Sequence, residues 1–197
     1  MKKIAILASG SGTNARNIIS YFSTEKGAVV SLVMSNRPDA FVLERARNMS
    51  VETVVFDRTD FYESGKVLDI LIGREIDLVV LAGFLWLVPE SLVDRYRGRI
   101  LNIHPALLPA YGGKGMYGER VHRAVIGNRE ERSGITIHLV NNKYDEGDIL
   151  FQATCPVLQD DTPDTLAQRV HELEYRYYPV VIEKYLENPG KPVTIPQ

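Results

Sequence analysis

The chain has 197 residues, of which 45% are hydrophobic and 24% are charged, as is typical of a globular protein. Its formal net charge of -2 excludes the general basic field that attracts nucleic acid. The one cysteine, Cys155, cannot form an internal disulfide, and the apolar run Ile4–Ala8 is too short for a signal peptide or a membrane span. We therefore expect a cytoplasmic protein that binds neither membrane nor nucleic acid.

Short apolar runs alternate with amphipathic stretches through the first half of the chain. Because polar residues do not interrupt these runs, they predict strands that are buried on both faces. Helical patterns separate them, which predicts crossover connections and a parallel sheet. The predicted strands are Ile4–Ala8, Val29–Met34, Thr53–Phe56, Leu78–Ala82 and Ile100–Ile103. The predicted helices follow them, ending near Phe22 and then spanning Phe41–Met49, Phe61–Arg74 and Pro89–Val93.

The second half of the chain begins with a long irregular connection, Ala106–Glu119, which is rich in glycine. Loops of this length in a compact domain are usually functional or mobile, and Tyr111–Glu119 is a candidate lid. Beyond it, the pattern predicts a short helix, two strands that we expect to pair antiparallel, and a long helix that begins with a proline in its first turn. These elements are Val121–Ile126, Ile135–Val140, Ile149–Val157 and the stretch from Pro163 to Asn188.

The sequence contains no internal repeat, low-complexity tract or linker. Its pattern of elements predicts one α/β domain over residues 1–197. The predicted architecture is a doubly wound, mostly parallel open sheet of the Rossmann-like type, with an antiparallel addition in the C-terminal half.

A glycine motif, Gly10-Ser11-Gly12-Thr13-Asn14-Ala15, separates the first strand from the first helix. Glycines there allow a tight turn, and the helix dipole favours an anion, so the motif predicts a phosphate site to which Thr13 and Asn14 contribute donors. The spacing also satisfies the dinucleotide pattern G-x-G-x-x-A, and Arg37 would suit the phosphorylated ribose of NADP. An NADP-dependent reductase and a plain turn without a ligand remain alternatives.

Asn102 and His104 lie at the end of the fifth predicted strand, where open α/β sheets bind ligands. Being two residues apart, they point to the same side of an extended segment. An amide donor beside an imidazole can bind a developing oxyanion and move a proton. A histidine satisfied by the local backbone is the alternative, but the position favours function.

Two acidic features are ambiguous from the pattern alone. The segment His138–Asp148 is typical of a solvated acidic hairpin, and Glu174 of a surface group at the edge of an apolar helix face. Carboxylates near an imidazolium would nevertheless raise its pKa. Neither ligand spacing among the histidines nor a cysteine pair indicates a metal site, so we expect none. The histidines are His104, His122, His138 and His171.

Taken together, these motifs resemble the folate-dependent formyltransferases, and within them the phosphoribosylglycinamide formyltransferase family of purine biosynthesis. The core Asn-Ile-His-Pro-x-Leu-Leu-Pro, together with the glycine motif, carries the resemblance most specifically. It covers nearly the whole chain. The matching pieces are residues 8–14, 35–40, 81–84, 101–109 and 137–147, then Glu174 and Tyr178-Pro179.

The resemblance implies roles for individual residues. Asn102, His104 and Asp145 correspond to a catalytic trio, with His138 near the site. Asp145 is selected over Glu146 and Asp148 by the resemblance, because the pattern cannot choose among these three acids. The implied binding residues are Gly12, Thr13, Asn14, His171 and Glu174 for the ribonucleotide, and Leu85, Trp86, Leu87, Val88, Asn141, Asn142, Lys143 and Tyr144 for the folate.

The implied reaction moves the formyl group of 10-formyltetrahydrofolate to the amine of glycinamide ribonucleotide. Protonated His104, held charged by Asp145, would neutralise the oxyanion. Both small molecules would be substrates, with no tightly bound cofactor, in a monomer or homodimer. Formyl-folate hydrolase and methionyl-tRNA formyltransferase share the core, but we expect these to carry a further N-terminal or C-terminal module, respectively. A nucleotide-sensing binding module is another alternative.

Overall fold

A computed structural model describes residues 1–24 and 27–195 of the chain. The chain forms two compact units, Met1–Asn102 and Ile103–Gln197. The single domain over residues 1–197 stays a prediction.

Five parallel strands form the sheet of the first unit, in the order β3-β2-β1-β4-β5. They are β1 (Lys2–Leu7), β2 (Ala28–Ser35), β3 (Glu52–Val55), β4 (Leu78–Leu81) and β5 (Ile100–His104), whose last two residues fall in the second unit. The helices are α1 (Thr13–Phe22), α2 (Phe41–Asn48), α3 (Arg58–Tyr62), α4 (Lys66–Gly73) and α5 (Glu90–Arg95). The apolar side chains of β1 and β4 are buried without alternation, as the sequence predicts for covered parallel strands.

The strand order reverses between β1 and β4. The chain runs outward from β1 to β3 and returns to place β4 on the other side of β1. At such a reversal, the loops that follow the two central strands diverge and open a crevice at the carboxyl edge of the sheet. The glycine motif follows β1, and residues 82–88 follow β4. Both segments therefore lie where α/β sheets bind ligands.

The second unit contains α6 (Glu119–Gly127), β6 (Arg132–Leu139), β7 (Ile149–Pro156) and α7 (Pro163–Glu187). Strands β6 and β7 pair antiparallel, and their register shifts between Ile137 and His138. A capping box between Thr162 and Thr165 starts α7, because each side chain accepts from the other residue's backbone N–H. Helix α7 packs on β6, β7 and α6.

The structure confirms the mostly parallel α/β sheet with an antiparallel part in its C-terminal half. The single helix predicted over Phe61–Arg74 is wrong, since two helices occupy this region. Asp57 caps α3 by accepting from the backbone N–H of Asp60 at 2.8 Å, and Gly65 precedes α4 with a left-handed φ of 73°. The apolar spacing continues across this break, so periodicity alone does not reveal it. No helix among the described residues is long and apolar enough to cross a membrane.

Candidate active site

The glycine motif forms a tight turn into α1 that exposes the helix N-terminus. Gly12 adopts a left-handed φ of 74°, and a Cβ at this position would collide with Val42. No acidic residue lies in the first turn of α1, so the positive end of its dipole meets no carboxylate there. Arg45 donates from Nε to the carbonyl of Ser11 at 2.9 Å, which brings a cation to the turn. The geometry of this turn suits an anion, and the phosphate site stays a prediction.

Ser9 links the turn after β1 to the segment after β4. Its backbone N–H donates to the carbonyl of Gly83 at 3.1 Å, and its hydroxyl accepts from the backbone N–H of Leu85 at 3.2 Å. The same hydroxyl donates to Oδ1 of Asn36 at 2.7 Å. Ser9, which sequence reasoning gave no role, is buried and holds the two loops of the crevice together.

Trp86 belongs to an aromatic cluster in the first unit. Its ring centroid lies 5.9 Å from those of Phe61 and Tyr62, and the Arg58 guanidinium lies 5.2 Å from its centroid. Around it in the predicted folate segment, Val88 is buried, Leu87 is half-buried and Leu85 is exposed. The segment therefore offers both a covered aromatic surface and an accessible apolar side chain.

A carboxylate between two imidazoles forms the centre of the second unit. Oδ2 of Asp145 lies 3.5 Å from Nδ1 of His104, and its Oδ1 lies 3.6 Å from Nε2 of His138. The backbone N–H of Gly113 donates to Oδ2 at 2.9 Å. Both imidazole side chains are almost fully buried, and Asp145 is 11% exposed. The structure thus brings His104, His138 and Asp145 together, whereas the pattern alone favoured a solvated hairpin.

Backbone carbonyls fix the orientation of both rings. Nε2 of His104 lies 2.7 Å from the carbonyl oxygen of Tyr111, and Nδ1 of His138 lies 2.7 Å from that of Leu139. Because a carbonyl oxygen only accepts, each of these ring nitrogens carries the hydrogen. The other nitrogen of each ring then faces Asp145. A neutral His104 consequently presents the lone pair of Nδ1, where it can take up a proton.

Burial and charge act in opposite directions on these groups. Burial has the largest effect on the pKa of His104 and lowers it below the ordinary value, although the Asp145 carboxylate and the Tyr111 carbonyl act to raise it. For Asp145, burial raises the pKa, but its interactions with His138 and His104 and the hydrogen bond from the Gly113 N–H together lower it. At neutral pH, the resting pair is therefore a neutral imidazole beside a carboxylate. This differs from the charged resting imidazole that the sequence analysis expected.

Asn102 lies on β5 two residues before His104 and is half-buried. It pairs in register with Leu81 of the neighbouring strand β4. Residues two apart on a strand project to the same face. The expected placement of the amide and the imidazole on one side therefore rests on this strand geometry.

Glu174 is the second buried carboxylate of this unit. It is only 4% exposed, so the surface position that the pattern favoured is wrong. Its Oε2 lies 2.8 Å from Nδ1 of His171, which is half-exposed, and this hydrogen bond is the main cause that raises the pKa of His171. The pair offers a buried acceptor beside an exposed imidazole, which suits a polyhydroxylated ligand.

His122 is buried on α6, and sequence reasoning considered it only as a metal ligand and assigned it no role. Its Nδ1 has no hydrogen-bond partner among the described residues. Burial, the nearby His171 and His104 lower its pKa, and only Glu174 acts to raise it. His122 lies on the buried face of α6 with Val121 and Val125, where a histidine is usually interpreted as a core residue. The sequence pattern around His122 therefore gave no indication of a function.

The turn between β6 and β7 holds the remaining predicted folate residues. The Asn141 side chain accepts from the backbone N–H of Lys143 at 2.9 Å and donates to the carbonyl of Glu146 at 3.0 Å. Asn142 and Lys143 are exposed, and Tyr144 is half-buried. Asn141 therefore shapes the turn, while its neighbours are accessible to a ligand. Within the described part of the chain, no group of three histidine, cysteine or acidic residues is arranged to hold a metal ion.

Comparisons with known proteins agree with this geometry. A family model described as formyl transferase matches residues 2–182. The phosphoribosylglycinamide formyltransferase of Haemophilus influenzae is 38% identical, over 95% of this chain and 88% of that protein. The chloroplastic phosphoribosylglycinamide formyltransferase of Arabidopsis thaliana is 42% identical, over 92% of this chain. The chain spans only 64% of the length of this plant relative.

A solved structure shares the fold. Glycinamide ribonucleotide transformylase 1 from Symbiobacterium toebii superimposes with a TM-score of 0.87 at 37% identity. The match covers 95% of this chain and 88% of that one.

The turn at Gly12 generates the first prediction. Gly12→Ala places a Cβ in a left-handed conformation and against Val42, so we expect the free energy of unfolding to fall by about 1–3 kcal/mol. Gly10→Ala in the same turn is the control, because a Cβ there meets no atom within 4 Å. Urea denaturation of both variants measures the difference. Equal stability of the two variants would contradict the strain at Gly12.

Proposed function

Because the chain belongs to the formyl transferase family, we propose that it transfers the formyl group of 10-formyltetrahydrofolate to the amine of glycinamide ribonucleotide in purine biosynthesis. The observation that carries the proposal is the buried Asp145 between His104 and His138, in the unit that begins one residue after Asn102. This arrangement can move a proton and stabilise charge, which are the two demands of acyl transfer.

In the proposed reaction, the substrate amine forms a bond to the formyl carbon, and the formyl oxygen gains negative charge. The Asn102 amide donates a hydrogen bond to this oxygen, and the hydrogen bond strengthens as the negative charge develops. Collapse of the intermediate breaks the bond between the formyl carbon and N10 of the folate. The proton lost by the amine ends on N10, so the reaction needs no other reactant.

His104 is the proposed carrier of that proton. Its Nε2 hydrogen is bound to the Tyr111 carbonyl, which leaves Nδ1 to accept the proton from the attacking amine, directly or through a water. Asp145 faces Nδ1 and stabilises the imidazolium once it forms. The imidazolium then returns the proton to the leaving nitrogen.

Two sets of residues are proposed to bind the substrates. Gly12, Thr13 and Asn14 would hold the ribonucleotide phosphate at the N-terminus of α1, and Glu174 with His171 would hold its ribose hydroxyls. The folate would contact the two accessible segments, residues 85–88 and 141–144. We also propose that the enzyme acts in the cytoplasm as a single domain, as a monomer or homodimer, without a tightly bound cofactor.

Turnover with both substrates tests the proposal. We expect deformylated folate to appear only when glycinamide ribonucleotide is present. Asn102→Ala and His104→Ala should each lower the turnover rate by about 100- to 1000-fold, because each removes a group that acts on the transition state. The measurement is absorbance of the folate product. Equal turnover without the ribonucleotide would indicate a hydrolase, and oxidation of NADPH would indicate a reductase.

Replacing Asp145 tests the charge beside His104. Asp145→Asn removes the carboxylate that raises the pKa of His104, so this pKa should fall further. As a base, His104 works in its neutral form, and activity declines as pH falls through its pKa. The acid limb of the pH–rate profile should therefore move to lower pH, with kcat reduced roughly 100-fold or more.

Asp148→Asn is the matched control for Asp145→Asn, because Asp148 is an exposed acid on the same turn. It should retain the normal profile. A normal profile for Asp145→Asn together with a crippled Asp148→Asn would contradict the assignment of the acid.

Glu174→Gln should weaken binding of the ribonucleotide by roughly 10- to 100-fold, because it removes the charge from a buried acceptor. Binding of the folate should not change. Calorimetry with each substrate separately measures both. Glu172→Gln, an exposed acid two positions away on α7, is the control. A loss confined to the folate would place the two substrates the other way round.

A further inference from the structure

We propose that Tyr111 is a positioning residue that selects which ring nitrogen of His104 exchanges the proton. The proposal rests on the proposed role of His104 and deepens it. Sequence reasoning assigned Tyr111 no function beyond its place in the candidate lid, Tyr111–Glu119, and the hydroxyl of its side chain bonds to Glu130 and Asn128. It acts through its backbone carbonyl, which its side chain holds in place.

The Tyr111 side chain is anchored at the end of α6. Its hydroxyl donates to Oε1 of Glu130 at 2.7 Å and accepts from Nδ2 of Asn128 at 2.8 Å. Asn128 is the C-cap residue that follows α6. The anchor thus ties the loop after β5 to the connection between α6 and β6, at the C-terminal end of α6.

The anchored residue has an unfavourable backbone conformation. Tyr111 has a φ of 58°, in the left-handed region that bulky side chains rarely adopt. Such strain persists only where surrounding contacts hold it, and it often accompanies a functional constraint. The two hydrogen bonds of the phenol supply contacts of this kind.

The conformation aims the carbonyl oxygen of Tyr111 at Nε2 of His104, 2.7 Å away. A carbonyl oxygen accepts only, so the hydrogen of the neutral ring is held on Nε2. Nδ1 is then the basic nitrogen, and it is the one that faces Asp145. Without the carbonyl, the neutral ring can carry its hydrogen on Nδ1 instead. Nδ1 then presents an N–H to the Asp145 carboxylate and has no lone pair with which to accept a proton.

The next two residues complete the contact with the acid. The backbone N–H of Gly113 donates to Oδ2 of Asp145 at 2.9 Å. Gly112 passes so close that a Cβ would meet Cδ2 of Leu108 at 2.6 Å and Cβ of Asp145 at 3.3 Å. Three consecutive residues therefore orient both His104 and Asp145 through the backbone, and Tyr111 is the one whose side chain fixes them.

The charged groups around His104 set the direction of the pH effect. Beside the burial that lowers its pKa, the Asp145 and Glu174 carboxylates and the Tyr111 carbonyl raise it, and His138 lowers it. Burial and Glu130 raise the pKa of the Tyr111 phenol, so it stays protonated and able to donate at neutral pH. Loss of the carbonyl contact should lower the pKa of His104.

The test compares Tyr111→Phe with Tyr117→Phe. Tyr117 lies in the same loop, is 43% exposed and stacks with Arg120, so removal of its hydroxyl is a matched control. For Tyr111→Phe, we expect kcat to fall roughly 10-fold with KM unchanged, the loss expected for one hydrogen bond to a charged group. The acid limb of its pH–rate profile should shift to lower pH. Tyr117→Phe should match the unaltered enzyme.

Nitrogen-15 NMR of His104 supplies a readout that does not depend on turnover. The unaltered protein should show one neutral tautomer with its hydrogen on Nε2, and Tyr111→Phe should show a mixture of both tautomers. Glu130→Gln, which keeps an acceptor but removes the charge, should lie between them. A single Nε2–H tautomer in Tyr111→Phe, or an unchanged kcat, would overturn the proposal. Absence of formyl transfer by the unaltered protein would instead overturn the proposed function, while the tautomer measurement would still test Tyr111.

Discussion

The buried carboxylate of Asp145 is the group on which the geometry of the second unit depends. Burial alone would favour its neutral form, yet two imidazoles and the Gly113 N–H keep its pKa low. These partners come from the end of β5, the end of β6 and the loop between β5 and α6. Because Asp145 has a left-handed φ of 56°, the turn itself directs the carboxylate inward. The Asp145 carboxylate thus contacts three separate segments of the second unit and helps to hold them in place.

The first unit offers a site that suits an anion through its backbone rather than through a dense cluster of cations. The turn after β1 presents the N-terminus of α1, and Gly12 lets the backbone pass beside Val42 where no side chain would fit. Ser9 then secures this turn to the segment after β4. A parallel sheet brings both turns to its carboxyl edge, so the crevice follows from strand order alone.

The spacing of apolar residues and the glycines and prolines between them predicted most of the fold, because buried parallel strands such as β1 leave uninterrupted apolar runs. They failed between Tyr62 and Lys66, where Gly65 breaks a helix without breaking its apolar spacing. Asp145 and Glu174 were chosen as candidate site residues by resemblance rather than by pattern, since burial of an acid depends on partners far apart in sequence. The carbonyl of Tyr111 could not be predicted, because every residue has a carbonyl and only the folded backbone shows where it points.

In the proposed reaction, His104 acts as a buried base, and its surroundings suit that role. At rest, burial keeps the ring neutral, so Asp145 and the imidazole interact only weakly. When the ring takes up a proton, the same two groups become an ion pair in a region shielded from water, where their attraction is stronger than at the surface. An interaction that appears only as charge develops lowers the barrier without tightening the ground state. The opposing effects of burial and Asp145 on the His104 pKa are therefore complementary. Burial weakens the resting interaction, and Asp145 strengthens the one made during the reaction.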